Sequence, residues 1–275
     1  MRPSARDVAA AAGLALVGLL ATVAACGDDD TTATDRGGAS PTETTDTTET
    51  RETTTEAAPV IDPGDGGDYR PQIDPADFVD AIDNPYLPFA PGMRWTYEGV
   101  SDGETEVIEV VVLDERREVM GVPATVVRDT VSVDGEVIED TWDWYAQDRD
   151  GNVWYLGEDT KEYENGEVVS TKGAWEAGVD GALPGIVMQA HPEVGQAYRQ
   201  EFYEGEAEDL AEVTEVGIAK SIALGDYGDV LVTREWNPLE PDVVEDKYFA
   251  PGVGLIAEEK VAGGDEVVEL TDVAG

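Results

Sequence analysis

From Met93 onward the chain alternates apolar and polar residues with a period of two. Met93, Trp95 and Tyr97 interleave with Arg94, Thr96 and Glu98, and Trp142 and Trp144 interleave with Thr141, Asp143 and Tyr145. Val107–Leu113, Ala124–Val133, Val153–Leu156, Val230–Trp236, Val243–Phe249, Leu255–Val261 and Val267–Leu270 continue the series. Successive side chains of an extended chain point to opposite faces, so this pattern predicts strands. Asp134-Gly135, Asp150-Gly151, Asn165-Gly166 and Gly263-Gly264 fall between such runs. Two-residue hairpin loops need left-handed backbone, which these residues tolerate. Tight turns join antiparallel neighbours.

Roughly ten to twelve strands follow from this reading, with no sustained helical period between them. A parallel α/β sheet is therefore disfavoured. The expected fold is all-β, mainly antiparallel. Strongly twisted open sheets rarely exceed about ten strands, so one large curved sheet is expected, a half-barrel or a closed barrel. A two-sheet sandwich is the alternative. At most one or two short helices are expected. One is predicted after Asp74, which can cap, with Pro75 at the first helical position and Phe78, Val79 and Ile82 as its apolar stripe. Asn84-Pro85 would end it. Glu204–Val213 fits either a short helix or a kinked strand.

The first 68 residues read differently. Arg2 and Arg6 precede an apolar run from Val8 to Ala25 that ends in Val23-Ala24-Ala25-Cys26. A basic start, an apolar stretch and small residues at a cut make a secretory signal over residues 1–25. Val-Ala-Ala-Cys also resembles the bacterial lipobox. That resemblance implies that the Cys26 thiol receives a diacylglyceryl group and becomes the new N-terminus, anchoring the protein to the outer face of the cell membrane. Two acyl chains hold a protein at a bilayer where one does not. The alternative is an uncleaved helix, near the lower limit of about 17 residues for spanning. Residues 26–68 carry twelve Thr between Thr31 and Thr55, among Asp, Glu, Ser and Pro. Such a segment cannot bury enough apolar surface to offset its ordering entropy. It reads as a disordered tether with a coil span of about 35 Å, open to O-glycosylation. Residues 69–275 are then a single β domain. The six Trp and ten Tyr all lie within it, and it is large enough to bury a core.

Charge narrows the partners. There are 61 Asp and Glu against 17 Lys and Arg, a formal net charge of −44. Counterion release cannot drive such a surface onto nucleic acid, and anionic headgroups do not attract it. Divalent cations or cationic ligands are favoured, diffusely, and solubility alone also accounts for the charge. Cys26 is the only cysteine, so no intrachain disulfide forms.

Three stretches resemble a bacterial lipoprotein family without an established function. Asn84-Pro85-Tyr86-Leu87-Pro88 followed by Pro91-Gly92-Met93-Arg94-Trp95-Thr96-Tyr97-Glu98-Gly99 is similar to its opening. Asp140–Tyr145 leading into Asp150-Gly151-Asn152-Val153-Trp154-Tyr155 is similar to its central hairpin. Tyr248-Phe249-Ala250-Pro251-Gly252-Val253-Gly254-Leu255 is similar to its late hairpin. The resemblance spans most of residues 80–270. It implies one β domain with an envelope address, and no catalytic residue is carried over.

Candidate chemistry is sparse. Asp148, Asp150 and Asn152 alternate around a glycine as calcium-loop ligands do, but the twelve-residue loop and its terminal Glu are missing. A hairpin turn explains the same residues. His191 is the sole histidine, so a histidine-activated nucleophile would have to use it, and a multi-histidine zinc site is excluded by count. No Gly-x-Ser-x-Gly turn is present. Asp140 and Asp143 beside Trp142 and Trp144 suit a sugar cleft with paired carboxylates, or else a Trp pair in the core with a solvated opposite face. No cofactor is expected. The reading favoured is a non-enzymatic, lipid-anchored protein that binds a ligand or partner on a concave face lined by Trp142, Trp144, Trp154 and Trp236, an apolar ligand or lipid being its most concrete form. A secreted carboxylate-pair hydrolase and a cation-binding adhesive module are the alternatives.

Overall fold

A computed structural model describes residues 68–275 apart from Asp102 and Gly103. The predicted signal, Cys26 and nearly all of the tether lie outside the described residues. Among those described, no helix is long and apolar enough to cross a membrane.

The fold is all-β. Its strands are β1 (Phe78–Val79), β2 (Arg94–Ser101), β3 (Glu104–Val119), β4 (Val122–Val133), β5 (Glu136–Asp148), β6 (Val153–Glu164), β7 (Glu167–Ser170), β8 (Trp175–Glu176), β9 (Leu183–Met188), β10 (Ala197–Arg199), β11 (Glu201–Phe202), β12 (Leu210–Ile222), β13 (Gly225–Trp236), β14 (Val244–Ala250), β15 (Gly254–Ala262) and β16 (Val267–Ala274). All pairings are antiparallel. The order runs β12-β13-β14-β15-β16-β2-β3-β4-β5-β6-β9. At its two ends the sheet meets one segment. Ala197–Arg199 pair with Leu210–Glu212 of β12, and Glu201–Phe202 pair with Leu183–Pro184 of β9. The sheet thereby curls into a barrel, and the closing segment is buried on both faces. The seam is tight at Gly185, where a Cβ would collide with the backbone of Gln200.

The hairpin signals hold where the chemistry demands it. Asp134-Gly135 and Asn165-Gly166 have positive φ at both residues, as a turn matched to strand twist requires. Met120-Gly121 turns the same way with φ of 51° and 81°, although Met gives no sequence cue. Glu204–Val213 is a turn leading into β12. The helix expected after Asp74 is cut to one 3₁₀ turn, Pro75–Asp77, capped by the Asp74 side chain. Its Phe78 instead enters β1 and pairs with Asp148, resting edge-on against Trp154. Strand pairing and burial override a weak helical preference.

The strand faces are sorted by register. Trp95, Val110, Asp129, Thr141 and Thr160 form one row across β2 to β6, and Tyr97, Ile108, Val131 and Glu139 the next. These side chains are buried and face the interior. Asp114–Glu118 extend β3 as a solvated strand past a bulge, a run too polar to read as strand from sequence.

Candidate functional site

Carboxyl groups are abundant inside this barrel. Asp129, Glu139, Asp143, Glu158, Glu201, Asp209, Glu235, Glu245, Glu258, Glu266 and Glu106 are all buried. They divide into two arcs with different chemistry.

On β13 to β16 the chain supplies its own cations. Lys247, 3% exposed, sits between Glu235 at 3.0 Å and Glu258 at 3.5 Å. Lys260 pairs with Glu266 at 2.9 Å and Glu245 at 3.8 Å. Burial opposes the charge of Lys247, but Glu235, Glu258 and Glu245 outweigh it and its pKa is raised. Glu106 faces this arc, and burial and the Glu266 charge lift it to about 7.

On β4 to β6 no such cation is present. Asp143 and Glu158 are directly opposed across the strand pair, an arrangement that repels when both are ionised. Tyr155 donates its hydroxyl to Asp143 at 2.7 Å. Tyr155 and Glu158 both face inward although they are three residues apart. A bulge makes this possible: two steps on β5, Asp143 to Tyr145, match three on β6, Glu158 to Tyr155. Gly157 carries the bulge at φ 129°, and a Cβ there would collide with Trp175. Glu201 arrives from the closing segment and feels Asp209 and Asp143. Asp129 is 2% exposed, and neither of its oxygens has a hydrogen-bond partner among the described residues. Its electrostatic neighbours are Asp143, Glu139, Asp140 and Glu258, all acids. The Tyr145 hydroxyl, fully buried and likewise without a partner, lies among Asp143, Glu158, Asp129 and Glu201. The arc rests on aromatic rings: Phe89 packs on Tyr145, Tyr145 stacks on Tyr155 at 4.9 Å, and Trp175 meets Tyr155 edge-on.

Burial disfavours the charged forms here. Desolvation, then the Glu162 and Asp143 charges, push Glu139 up to about 8. Asp143 is raised to about 7 by burial, against the hydrogen bond from Tyr155. Burial and neighbouring acids hold Asp129, Glu158 and Glu201 well above the usual carboxylate range. Near neutral pH burial therefore favours the protonated forms along this arc, with Asp143, at about 7, poised between its two forms.

The aromatic residues expected to line a concave face lie elsewhere. Trp142 and Trp144 point outward, on the face opposite Thr141, Asp143 and Tyr145. The Arg117 guanidinium lies 3.9 Å from the Trp144 ring centroid, and Arg128 and Lys161 flank Trp142 at 4.9 and 5.1 Å. Cation–π packing lets these rings serve as a platform under charged groups. Arg116, Arg117, Trp142, Trp144, Asp159 and Lys161 line a shallow groove of about 360 Å³ there. Trp154 is buried, and its indole donates to Asp148 at 2.8 Å. Trp236 is half-buried at the end of β13. The four do not converge. Asp140 and Asp143 are on opposite faces as well: Asp140 takes a two-pronged bond from Arg128 at 2.7 and 2.8 Å. Asp143, at 1% exposed and Glu158, at 6%, cannot be reached by a polymeric glycan.

The turn residues are committed to the turn. Asp148 accepts from the Asn152 backbone and side chain at 2.9 and 2.8 Å and from Trp154. The Asn152 side-chain Oδ1 accepts from the Ala190 backbone amide at 2.9 Å. Asn84 caps the loop by donating to Gly151 and Gln189. Among the described residues no three Asp, Glu, His or Cys side chains converge to hold a metal ion. His191 lies on an exposed loop.

No family model matches the chain, and no curated protein does. Two solved structures show a distant likeness. One, from Bacteroides fragilis, is provisionally described as an exported protein with a YmcC-like fold; it is 15% identical, with 69% of this chain and 99% of that one aligned at a TM-score of 0.41. The other, from Parabacteroides distasonis, is provisionally described as a lipoprotein; it is 11% identical, with 71% and 100% aligned at a TM-score of 0.37. At such low scores neither likeness bears on function or address.

Proposed function

We propose that this chain is exported, processed and lipidated at Cys26, and that its β barrel is a non-enzymatic binding domain whose ligand occupies the interior against β4 to β6. The lipobox-like Val23-Ala24-Ala25-Cys26 and the Thr- and acid-rich residues that follow support the address. One observation carries the binding reading. Asp129 and the Tyr145 hydroxyl are buried hydrogen-bonding groups without a partner among the described residues. Leaving such a group unsatisfied costs about 1–3 kcal/mol, so folds keep them for a purpose or satisfy them with a bound molecule. The polar lining favours a polar ligand over the apolar one that the tryptophans suggested.

Native mass spectrometry on the intact protein, extracted from membranes, tests both halves together. The expected spectrum carries the diacylglyceryl mass on Cys26 and a second, noncovalent mass. A polypeptide of unprocessed mass overturns the address. A processed protein that never carries additional mass, across gentle detergents and pH 6 to 8, overturns the binding reading.

A further inference from the structure

We infer that the β4 to β6 arc is a binding site for an organic ammonium ion, an amine presented by a small molecule such as a polyamine; this rests on the interior-binding reading above. Both arcs of the barrel are built from inward carboxyls on neighbouring strands. In the β13 to β16 arc a buried ammonium completes the arrangement: the Lys247 Nζ lies between Glu235 and Glu258. The β4 to β6 arc has the acceptors Asp129, Asp143, Glu158 and Glu201, and none of the ion pairs formed by the lysines of the barrel reaches them; Arg199, buried on the closing segment, lies against the Tyr69 and Phe202 rings. It also has what a lysine site does not need, a Tyr145 hydroxyl without a partner among the described residues. Carboxyl and hydroxyl oxygens are the acceptors that the N–H donors of an ammonium require. The acids do not converge as metal ligands. Spread over three strands and the closing segment, they match a ligand with several N–H donors rather than one point charge.

Proton release separates this site from the acidic surface. Solvated carboxylates are already ionised at pH 7, so a cation that screens them displaces no proton. The buried acids must give theirs up as an ammonium arrives. Isothermal titration calorimetry of the full-length lipidated protein with spermidine, in two buffers of different ionisation enthalpy at pH 7 and 0.15 M salt, is the experiment. The expected result is one saturable site with net proton release, raising Tm. Asp129→Asn keeps the fold, because it replaces a protonated acid by a neutral isostere, and weakens that binding by about tenfold or more. Glu158→Gln is a second variant with the same expectation, should the first fail to fold. Magnesium chloride at matched charge produces no proton release.

Diffuse, salt-suppressed binding without proton release, equal in wild type and both variants, overturns the proposal. If spermidine fails in that way while native mass spectrometry shows another carried molecule, the ammonium assignment alone is lost. If nothing is carried and nothing releases protons, the interior-binding reading falls with it.

Discussion

Consider raising the pH of the folded protein from 5 to 8 at fixed high salt. Glu139, Glu106 and Asp143 keep their protons in the fold up to about 8, 7 and 7, whereas the unfolded chain loses them at ordinary carboxylate values of about 4. Between those limits the native state binds more protons than the unfolded state, so stability is full below the unfolded values and falls as pH rises through the native ones. Lifting Glu139 from 4.5 to about 8 corresponds, at about 1.36 kcal/mol per pH unit, to about 5 kcal/mol. Asp129, Asp143 and Glu158 on β4, β5 and β6 are raised as well and are coupled to one another through the same charges, so the contributions do not add in full. Lys247 and Lys260 have raised values and stay charged throughout. A net loss of about 5 kcal/mol between pH 5 and 8 is expected, which lowers Tm by about 10–20 °C in a domain of this size. Differential scanning calorimetry in about 0.5 M salt, where the Debye length is only a few ångströms, separates this from surface repulsion. Glu139→Gln then supplies the decisive contrast. It retains the shape of the protonated acid and, through its amide oxygen, an acceptor for the long bond from Thr141, so it costs about 1 kcal/mol or less at pH 5 and stabilises at pH 8. Equal melting temperatures of the wild type at both pH values, or equal destabilisation of the variant at both, would refute a fold that holds these protons.

The other expectations concern the closed half of the barrel and the anchor. Lys247→Met leaves Glu235 and Glu258 buried without their cation and costs about 3–5 kcal/mol at pH 7; adding Glu235→Gln returns part of the loss, readable in urea melts. Gly185→Ala forces a Cβ into the Gln200 backbone. Hydrogen exchange at residues 197–202 should accelerate far more than in β3 or β4, and uniform protection would contradict closure at that seam. Cys26→Ser should leave the precursor unprocessed and without lipid label; an unchanged, processed membrane form would contradict lipidation.

Much of the fold could be read from the chain alone. Period-two patterning and Asp-Gly and Asn-Gly turns fix extended segments and antiparallel pairing, because both are local properties of backbone geometry. That the strands curl follows from their number. The tertiary structure decided the rest. Alternation sorts β5 into two sets, Trp142 with Trp144 and Thr141 with Asp143 and Tyr145, but does not say which is inside. Hydrophobicity favours the tryptophans for the core. The fold puts both on the outer face of β5, Trp142 half-buried and Trp144 buried, under Arg117, Arg128 and Lys161, cations that come from β3, β4 and β6 and cannot be assigned to them from β5 alone. The interior acids were hidden for a related reason. Among 61 Asp and Glu, inward carboxyls look like outward ones until register is known, and strict alternation would have put Tyr155 and Glu158 on opposite faces, a separation that only the Gly157 bulge undoes. Closure, too, depends on the close approach of Gly185 to Gln200, a contact between backbones that no side-chain pattern records.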